Sequence, residues 1–254
     1  MKGLALLFKF MTRLPFPGGK TFDSKALGKG MKWFPIVGLV IGIINLAVAM
    51  VLETFIPSPI LMAIILVTLD VIVTGGLHLD GLADTFDGIF SYRSKQKMLE
   101  IMKDSRVGTN GVLVLILYFI FKVAFLVETS ELFGVNQGVI MLIVPILARI
   151  NSVVNCAFEP YARATGMGKT FVDNTDKMGL LISYVTVAAI LYGIAQYFML
   201  PFISLFIILN ILIVCGFLFG KLMTKKIGGI TGDTLGALLE LSSVLSLVLM
   251  YVTL

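Results

Sequence analysis

Long apolar stretches alternate with short charged ones along the whole chain. Seven of them, approximately 34–52, 57–77, 111–128, 136–157, 179–199, 202–219 and 236–254, are long enough to cross about 30 Å of hydrocarbon as helices. Ahead of them, residues 1–17 carry Lys2, Lys9 and Arg13 among Leu4, Leu6, Leu7, Phe8, Phe10 and Met11, and stop at Pro15 and Pro17. That segment is too short and too charged to span, and reads as an amphipathic helix lying in the membrane interface. The pattern predicts an all-α polytopic membrane protein of about seven transmembrane helices plus this interfacial helix. All 254 residues form one integral membrane domain, with no separate soluble module.

Composition agrees: 58% of residues are hydrophobic and 14% charged, far more apolar than a soluble core requires. The lipid bilayer is therefore the first expected partner. No cleavage site follows an early apolar region, so no removable signal peptide is expected. A net charge of +5 raises nucleic-acid binding as an option, but the basic residues are scattered through the loops rather than gathered on one element. Seven Lys or Arg precede the first span (2, 9, 13, 20, 25, 29, 32), none separates the first and second, and five follow the second (93, 95, 97, 103, 106). The next loop has none, 158–178 has three (163, 169, 177), the next turn none, and 220–235 three (221, 225, 226). That alternation is the positive-inside pattern. It puts the N-terminus and the loops near 78–110, 158–178 and 220–235 in the cytoplasm, the C-terminus outside, and excludes nucleic acid as a partner. Cys156 and Cys215 lie in apolar runs without neighbours at metal-ligand spacing, so they read as packing residues.

The candidate chemistry sits where the second span ends, in Gly75-Gly76-Leu77-His78-Leu79-Asp80-Gly81-Leu82-Ala83-Asp84-Thr85-Phe86-Asp87-Gly88. Asp80, Asp84 and Asp87 are spaced i, i+4, i+7, which places them on one arc of a helix about 60° wide. Such crowding calls for a cation, and oxygen donors of this kind suit Mg²⁺ bound with a diphosphate. His78, the lone histidine, stands beside them. Its bland reading is a hydrogen-bonded structural residue, its functional one a general base. A Gly-rich turn follows, Asp104-Ser105-Arg106-Val107-Gly108-Thr109-Asn110-Gly111, which can present free N–H groups and a guanidinium to phosphate. The competing reading is a polar turn capping the next span. Near the C-terminus, Gly228-Gly229-Ile230-Thr231-Gly232-Asp233-Thr234-Leu235 repeats the pattern Gly-Gly-x-x-x-Asp-x-Leu, with Glu240 placed after Asp233 as Asp87 is after Asp80. Asp233 starts a span from the side on which Asp80 ends one, so both can face one cavity. Asp70, Lys122, Arg149, Asn151, Asn155 and Glu240 interrupt apolar runs, where ionisable groups pair with one another or line a pathway. For Lys122 and Arg149 the bland reading is a pair with Asp70 or Glu240, while Asp70 is expected to line the same cavity as Asp80, higher up.

Carboxylates, glycine turns and a few cations at one membrane face suit phosphoryl transfer, which needs positioning and charge stabilisation more than covalent help. A CDP-alcohol phosphotransferase is one alternative, although Asp80-Gly81-x-Ala83-Asp84 breaks its Asp-x-x-Asp-Gly-x-x-Ala-Arg spacing. An aromatic prenyltransferase is a second, and its paired Asn/Asp-rich motifs are missing. A proton- or cation-coupled transporter is a third, but transporters hold their acids near the midplane, whereas the densest acids here stand at one face.

The combination Gly75-Gly76-x-His78-Leu79-Asp80-Gly81-Leu82-Ala83-Asp84-x-x-Asp87-Gly88 with Asp104-Ser105-Arg106-x-Gly108-x-x-Gly111 resembles the cobalamin synthase (adenosylcobinamide-GDP ribazoletransferase) family. Thr12-Arg13-Leu14-Pro15, Phe34-Pro35-x-x-Gly38, Tyr161-Ala162-Arg163-x-x-Gly166-x-Gly168 and Gly228-Gly229-x-Thr231-Gly232-Asp233-x-Leu235-Gly236-Ala237 extend the likeness from residue 12 to residue 240. The resemblance implies the last joining step of the vitamin B12 nucleotide loop, at the bacterial inner membrane. A ribose hydroxyl of α-ribazole, or of α-ribazole 5′-phosphate, attacks adenosylcobinamide-GDP and expels GMP, with Mg²⁺ required. Within that frame Asp80, Asp84 and Asp87 are expected to act in catalysis with His78, and to hold Mg²⁺ together with Asp233. Asp104, Ser105, Arg106, Asn110, Arg13, Arg163, Thr231 and Glu240 are expected to bind substrate. Where the family often has a second acid, three residues after Glu240, this chain has Ser243. A bundle of seven spans leaves room for a homo-oligomer.

Overall fold

The computed structural model describes residues 2–16 and 23–254, so the expectations placed on Pro17 and Lys20 fall outside the described residues. It is all-α, with no β-strand among those residues beyond one isolated bridge between Tyr161 and Ile230. Twelve α-helices follow in order: α1 (Lys2–Met11), α2 (Ser24–Gly30), α3 (Phe34–Leu52), α4 (Pro59–Thr74), α5 (Leu77–Ile89), α6 (Lys95–Ile101), α7 (Thr109–Phe133), α8 (Gln137–Phe158), α9 (Met167–Asn174), α10 (Lys177–Phe198), α11 (Phe202–Ile227) and α12 (Gly232–Thr253). A 3-10 turn, Met31–Trp33, joins α2 to α3. Among the described residues six helices are long and apolar enough to span, and α4 and α5, bent by 91° from one another, make a seventh when the pair is taken as one broken span. The expected spans are thus all present, with ends displaced by a few residues.

The bundle is built around α8, which is buried along its whole apolar length. Two glycine pairs let its neighbours approach closely, one against backbone and one against side chains. Gly38 and Gly42 of α3 lie against Pro145 and Leu142, where a Cβ at Gly42 would stand 2.8 Å from the Leu142 Cα. Gly216 and Gly220 of α11 make room for the Asn151 and Asn155 side chains. Small residues four apart are how membrane helices pack closely when apolar surface gains nothing by leaving lipid. The intramembrane asparagines have structural partners: Asn151 Nδ2 donates to Ser242 Oγ (2.7 Å) and Asn155 Nδ2 to the Gly216 carbonyl (2.7 Å).

The remaining charges close a buried network. Lys122 Nζ meets Asp70 Oδ2 at 3.1 Å and donates to the Tyr118 hydroxyl at 2.7 Å, and that hydroxyl donates to Glu240. Lys122 therefore does what its bland reading expected. Arg149 does not: instead of an acid, its Nη1 donates to the Pro145 carbonyl at 2.8 Å, and its guanidinium lies over the Phe34 ring at 5.4 Å. Asp70, Arg149 and Glu240 line a small cavity of their own, distinct from the one that Asp80 lines.

Candidate functional site

At one end of the bundle the chain turns a corner between α4 and α5. Ser58 caps the start of α4, Pro59 occupies its first turn, and Gly75 and Gly76 end it with φ of 66° and 69°. Two successive left-handed residues are inexpensive only for glycine, and they swing α5 across the end of the spans instead of letting it continue through lipid. At the other glycine doublet, Gly228 and Gly229 have φ of 81° and 148° and lead into α12. The two helices that follow these turns cross in backbone contact. A Cβ on Gly81 would lie 3.0 Å from the Asp233 Cα, and one on Gly236 would lie 3.2 Å from the His78 Cα. Asp80 and Asp233 are thereby carried into the walls of one cavity. Gly81→Ala should force the two first turns apart by a fraction of an ångström. A kcat/KM loss of about 100-fold is expected from such misplacement, read by assay of folded, detergent-purified protein; unchanged turnover would show that this crossing does not set the site.

Asp87 departs from the expected metal group. It shares the helical arc of Asp80 but stands seven residues further along, an axial rise of about 10 Å, too far for one ion. Its oxygens accept from the backbone N–H groups of Gly108 (2.6 Å) and Gly111 (2.9 Å) at the start of α7. The glycine turn expected to offer free N–H groups to phosphate therefore gives two of them to a carboxylate of the protein itself, as helix N-termini favour.

The other expected contacts divide. Asp104 and Arg106 pair at the exposed turn before α7, Arg106 Nη2 to Asp104 Oδ2 at 2.7 Å, and this holds the Asp104 carboxyl down at about 2. Ser105 is exposed beside them and Asn110 half-buried. Thr231 is a helix cap: its Oγ1 accepts from the Thr234 N–H at 3.1 Å, and its hydroxyl donates to Asp233 Oδ2 at 3.3 Å, so it positions the acid instead of meeting solvent. Arg163 Nη2 stands 2.8 Å from Asp233 Oδ2 in an ion pair without hydrogen-bond alignment. Arg13 is exposed and lies against Gly75 at the α4–α5 corner, its backbone N–H donating to the Val73 carbonyl at 2.7 Å. Glu240, expected to bind substrate, is instead buried in the network around Tyr118 and Lys122, because its side chain lies two turns down α12 from Asp233.

The cavity that Asp80 and Asp233 share has a volume of about 200 Å³ and mostly apolar walls. Its walls come from α1, the 3-10 turn, α3, α5, α9 and α12, with Ser152 of α8 at the back. His78 lines it, buried, with its Nε2 lacking a hydrogen-bond partner and its ring edge-on to Phe34 at 6.2 Å. Burial, together with the nearby Arg149 cation, pushes the imidazole down to about 3. His78 is thus neutral at pH 7 and a poor proton acceptor, contrary to the general-base expectation. Asp84 moves the other way. Burial and then the carboxylates of Asp80, Asp233 and Asp87 raise it to about 7.

The profile of the cobalamin-5-phosphate synthase family matches residues 3–251. The chain belongs to that family. Three curated relatives, each called adenosylcobinamide-GDP ribazoletransferase, match over nearly their whole length. The protein of Fusobacterium nucleatum is 49% identical over 99% of this chain and 98% of its own. That of Clostridioides difficile is 37% identical over 99% and 97%, and that of Acetivibrio thermocellus 39% over 99% and 98%. No solved structure matches the chain. The protein is accordingly a membrane-embedded transferase of cobalamin biosynthesis.

Whether this cobalamin synthase family member can hold Mg²⁺ is a question of donor chemistry. Among the described residues no three His, Cys, Asp or Glu side chains are gathered closely enough to cage an ion. Mg²⁺, however, usually takes one or two carboxylates, water and substrate phosphates. Asp80 and Asp233, one from each crossing helix, meet that need, and the charge crowding recorded at Asp84 is what an incoming cation would relieve. Reading the sequence missed the apolar wall, above all Phe171 and Met167 on α9, within a stretch taken as loop. The signal available was the amphipathic spacing of that eight-residue helix.

Proposed function

We propose that this enzyme joins α-ribazole, or its 5′-phosphate, to adenosylcobinamide-GDP with release of GMP, on the cytoplasmic side of a bacterial inner membrane. The observation that carries the reading is the pairing of Asp80 and Asp233 across the α5–α12 crossing, in a chain whose family and curated relatives bear the names of this reaction. The cytoplasmic placement rests on the charge alternation of the loops. The N-terminus then lies inside, and seven spans carry the C-terminus outside.

In this mechanism Asp80 and Asp233 would hold Mg²⁺, which would supply positive charge to neutralise the diphosphate and its leaving oxygen. Arg163, already beside Asp233, and Arg13 at the corner of α5 supply fixed positive charge near the phosphates, and Arg106 joins them when phosphate displaces Asp104. Asp84, one turn from Asp80 on the same face of α5, accepts the proton of the attacking hydroxyl. The ribazole oxygen bonds to the phosphorus on the cobinamide side, the bond from that phosphorus to the bridging oxygen breaks, and GMP leaves with that oxygen. Asp87 holds α5 against α7 instead of touching the ion. The test is Mg²⁺-dependent GMP release from adenosylcobinamide-GDP by purified protein in detergent. Turnover only across a sealed vesicle with an ion gradient would point to transport instead.

The raised Asp84 also predicts a pH dependence. Its folded value lies above the ordinary 3.8, so without a cation the native state is favoured while the group is protonated, and loses that advantage as pH rises through about 7. A cation held by Asp80 and Asp233 would disfavour that proton. The apparent Mg²⁺ affinity should therefore fall by up to about tenfold per pH unit below 7 and level off above it. Calorimetric titration with Mg²⁺ alone between pH 5.5 and 8 checks this, and a flat profile would remove Asp84 from the electrostatics of the site.

A further inference from the structure

The shared cavity is not equally suited to every part of the proposed reaction, and its lining distinguishes them. No Lys or Arg is among its lining residues; its charged groups are the carboxylates of Asp80 and Asp233. A guanosine diphosphate, which carries several negative charges, would meet only repulsion deeper inside. Adenosylcobinamide presents amide side chains around a wide ring, and they would find few hydrogen-bond partners on these walls. What the walls offer are Phe10, Met31, Phe34, Met167, Phe171 and Leu235: flat rings and flexible thioethers from five separate elements. Met31 and Phe34 are fully buried, and Phe171 is 3% exposed. Such a lining suits a neutral, planar, apolar group. The cavity volume of about 200 Å³ is below the roughly 300–1,000 Å³ of a pocket for a whole drug-sized ligand, so it suits one fused ring and not a corrinoid.

Building on the transferase reading, we propose that this cavity is the pocket for the acceptor base: it takes the dimethylbenzimidazole ring of α-ribazole between Phe34, Phe171 and Met31. The ribose then points to the mouth, toward Asp80 and Asp233. Two features agree with this choice. The reacting ribose hydroxyl belongs to the same molecule as the ring, so a pocket lined at one point by both acids and elsewhere by aromatics matches a nucleoside from end to end. His78 lines the same cavity with its Nε2 buried and without a hydrogen-bond partner. An imidazole N–H donates to the unsubstituted nitrogen of a benzimidazole. His78 is on this account a positioning residue for the base. α1 contributes Phe10 and Met11 to the same cavity, which gives the interfacial helix a role in covering the acceptor.

The experiment measures binding of α-ribazole by the purified enzyme in detergent, from the fluorescence of its own ring. It is run without corrinoid and again with adenosylcobinamide-GDP plus EDTA, so that an ordered mechanism is also covered. Phe171→Ala and Met31→Ala should weaken α-ribazole binding by about 10- to 100-fold while leaving the KM for adenosylcobinamide-GDP within about threefold. Phe171→Leu, milder toward folding, should weaken it less. The riboside of unsubstituted benzimidazole should bind about tenfold less well than α-ribazole to the native enzyme, and this preference should shrink in Phe171→Ala. Variants with normal α-ribazole affinity and a raised KM for the corrinoid would place the corrinoid in the pocket and overturn the proposal. So would a native enzyme that binds α-ribazole in neither condition. If the native enzyme binds α-ribazole with the expected sensitivities but releases no GMP, the transferase reading fails and the pocket assignment stands.

Discussion

Asp80→Asn should lower kcat/KM for GMP release by about 100- to 1,000-fold while leaving the protein folded in detergent. The loss is expected because the side chain keeps its shape and exchanges a full negative charge for a dipole at the one place where two helices aim acids into the same cavity. An electrostatic group directed at developing charge in a partly dry site contributes on that scale. Folding should be untouched: Asp80 is exposed, and exposed substitutions without special partners change stability by about 0.5 kcal/mol or less. There is also a signature that a merely structural effect would not produce. The Asp80 carboxylate is the largest charge contribution holding Asp84 near 7, so the residual activity of Asp80→Asn should show its acidic limb displaced to lower pH. Normal turnover by the variant would end the assignment of Asp80 to the ion and the diphosphate.

The spans were readable from the sequence because hydrocarbon imposes one rule on every residue at once: each backbone polar group must be satisfied within its own helix. The acids beyond Gly75-Gly76 were also readable, but the corner at that doublet was not: the expected span ran through it to residue 77, since glycine is common within membrane helices. What could not be read was the distance along a helix that separates residues sharing its face. Asp80 and Asp87 occupy one arc, yet the crossing with α12 captures the first while the start of α7 captures the second. Periodicity reports angle, and the partner helix decides the rest. The same limit hid the roles of Thr231 and Glu240, which fall on one helix with Asp233 but face a cap and a buried network. The apolar wall was hidden for a different reason. Phe10, Phe34 and Phe171 lie far apart in the chain, and each alone is an ordinary membrane-protein aromatic.

The buried network carries the second large effect, this time on stability. Lys122→Met should lower the unfolding free energy in detergent by about 3–5 kcal/mol, the usual consequence of removing one partner from a buried ion pair. Lys122 is 3% exposed and its Nζ serves both Asp70 and the Tyr118 hydroxyl. Methionine fills much of the same space, so the expected loss is not a cavity but two acids, Asp70 and Glu240, left without their cation among apolar helices. Asn45, whose Nδ2 donates to Asp70 Oδ1 at 2.7 Å, offers a dipole but no compensating charge. Adding Asp70→Asn and Glu240→Gln to Lys122→Met should restore a large part of the stability, because the penalty comes from unpaired charge and not from the missing bonds themselves. Below its melting temperature the single variant should retain most GMP release, since Lys122 lines a cavity separate from that of Asp80 and Asp233. Thermal unfolding with parallel assays separates the outcomes. An unchanged melting temperature would mean that the network is hydrated and weak, whereas intact stability with lost turnover would move Lys122 from the scaffold to the reaction.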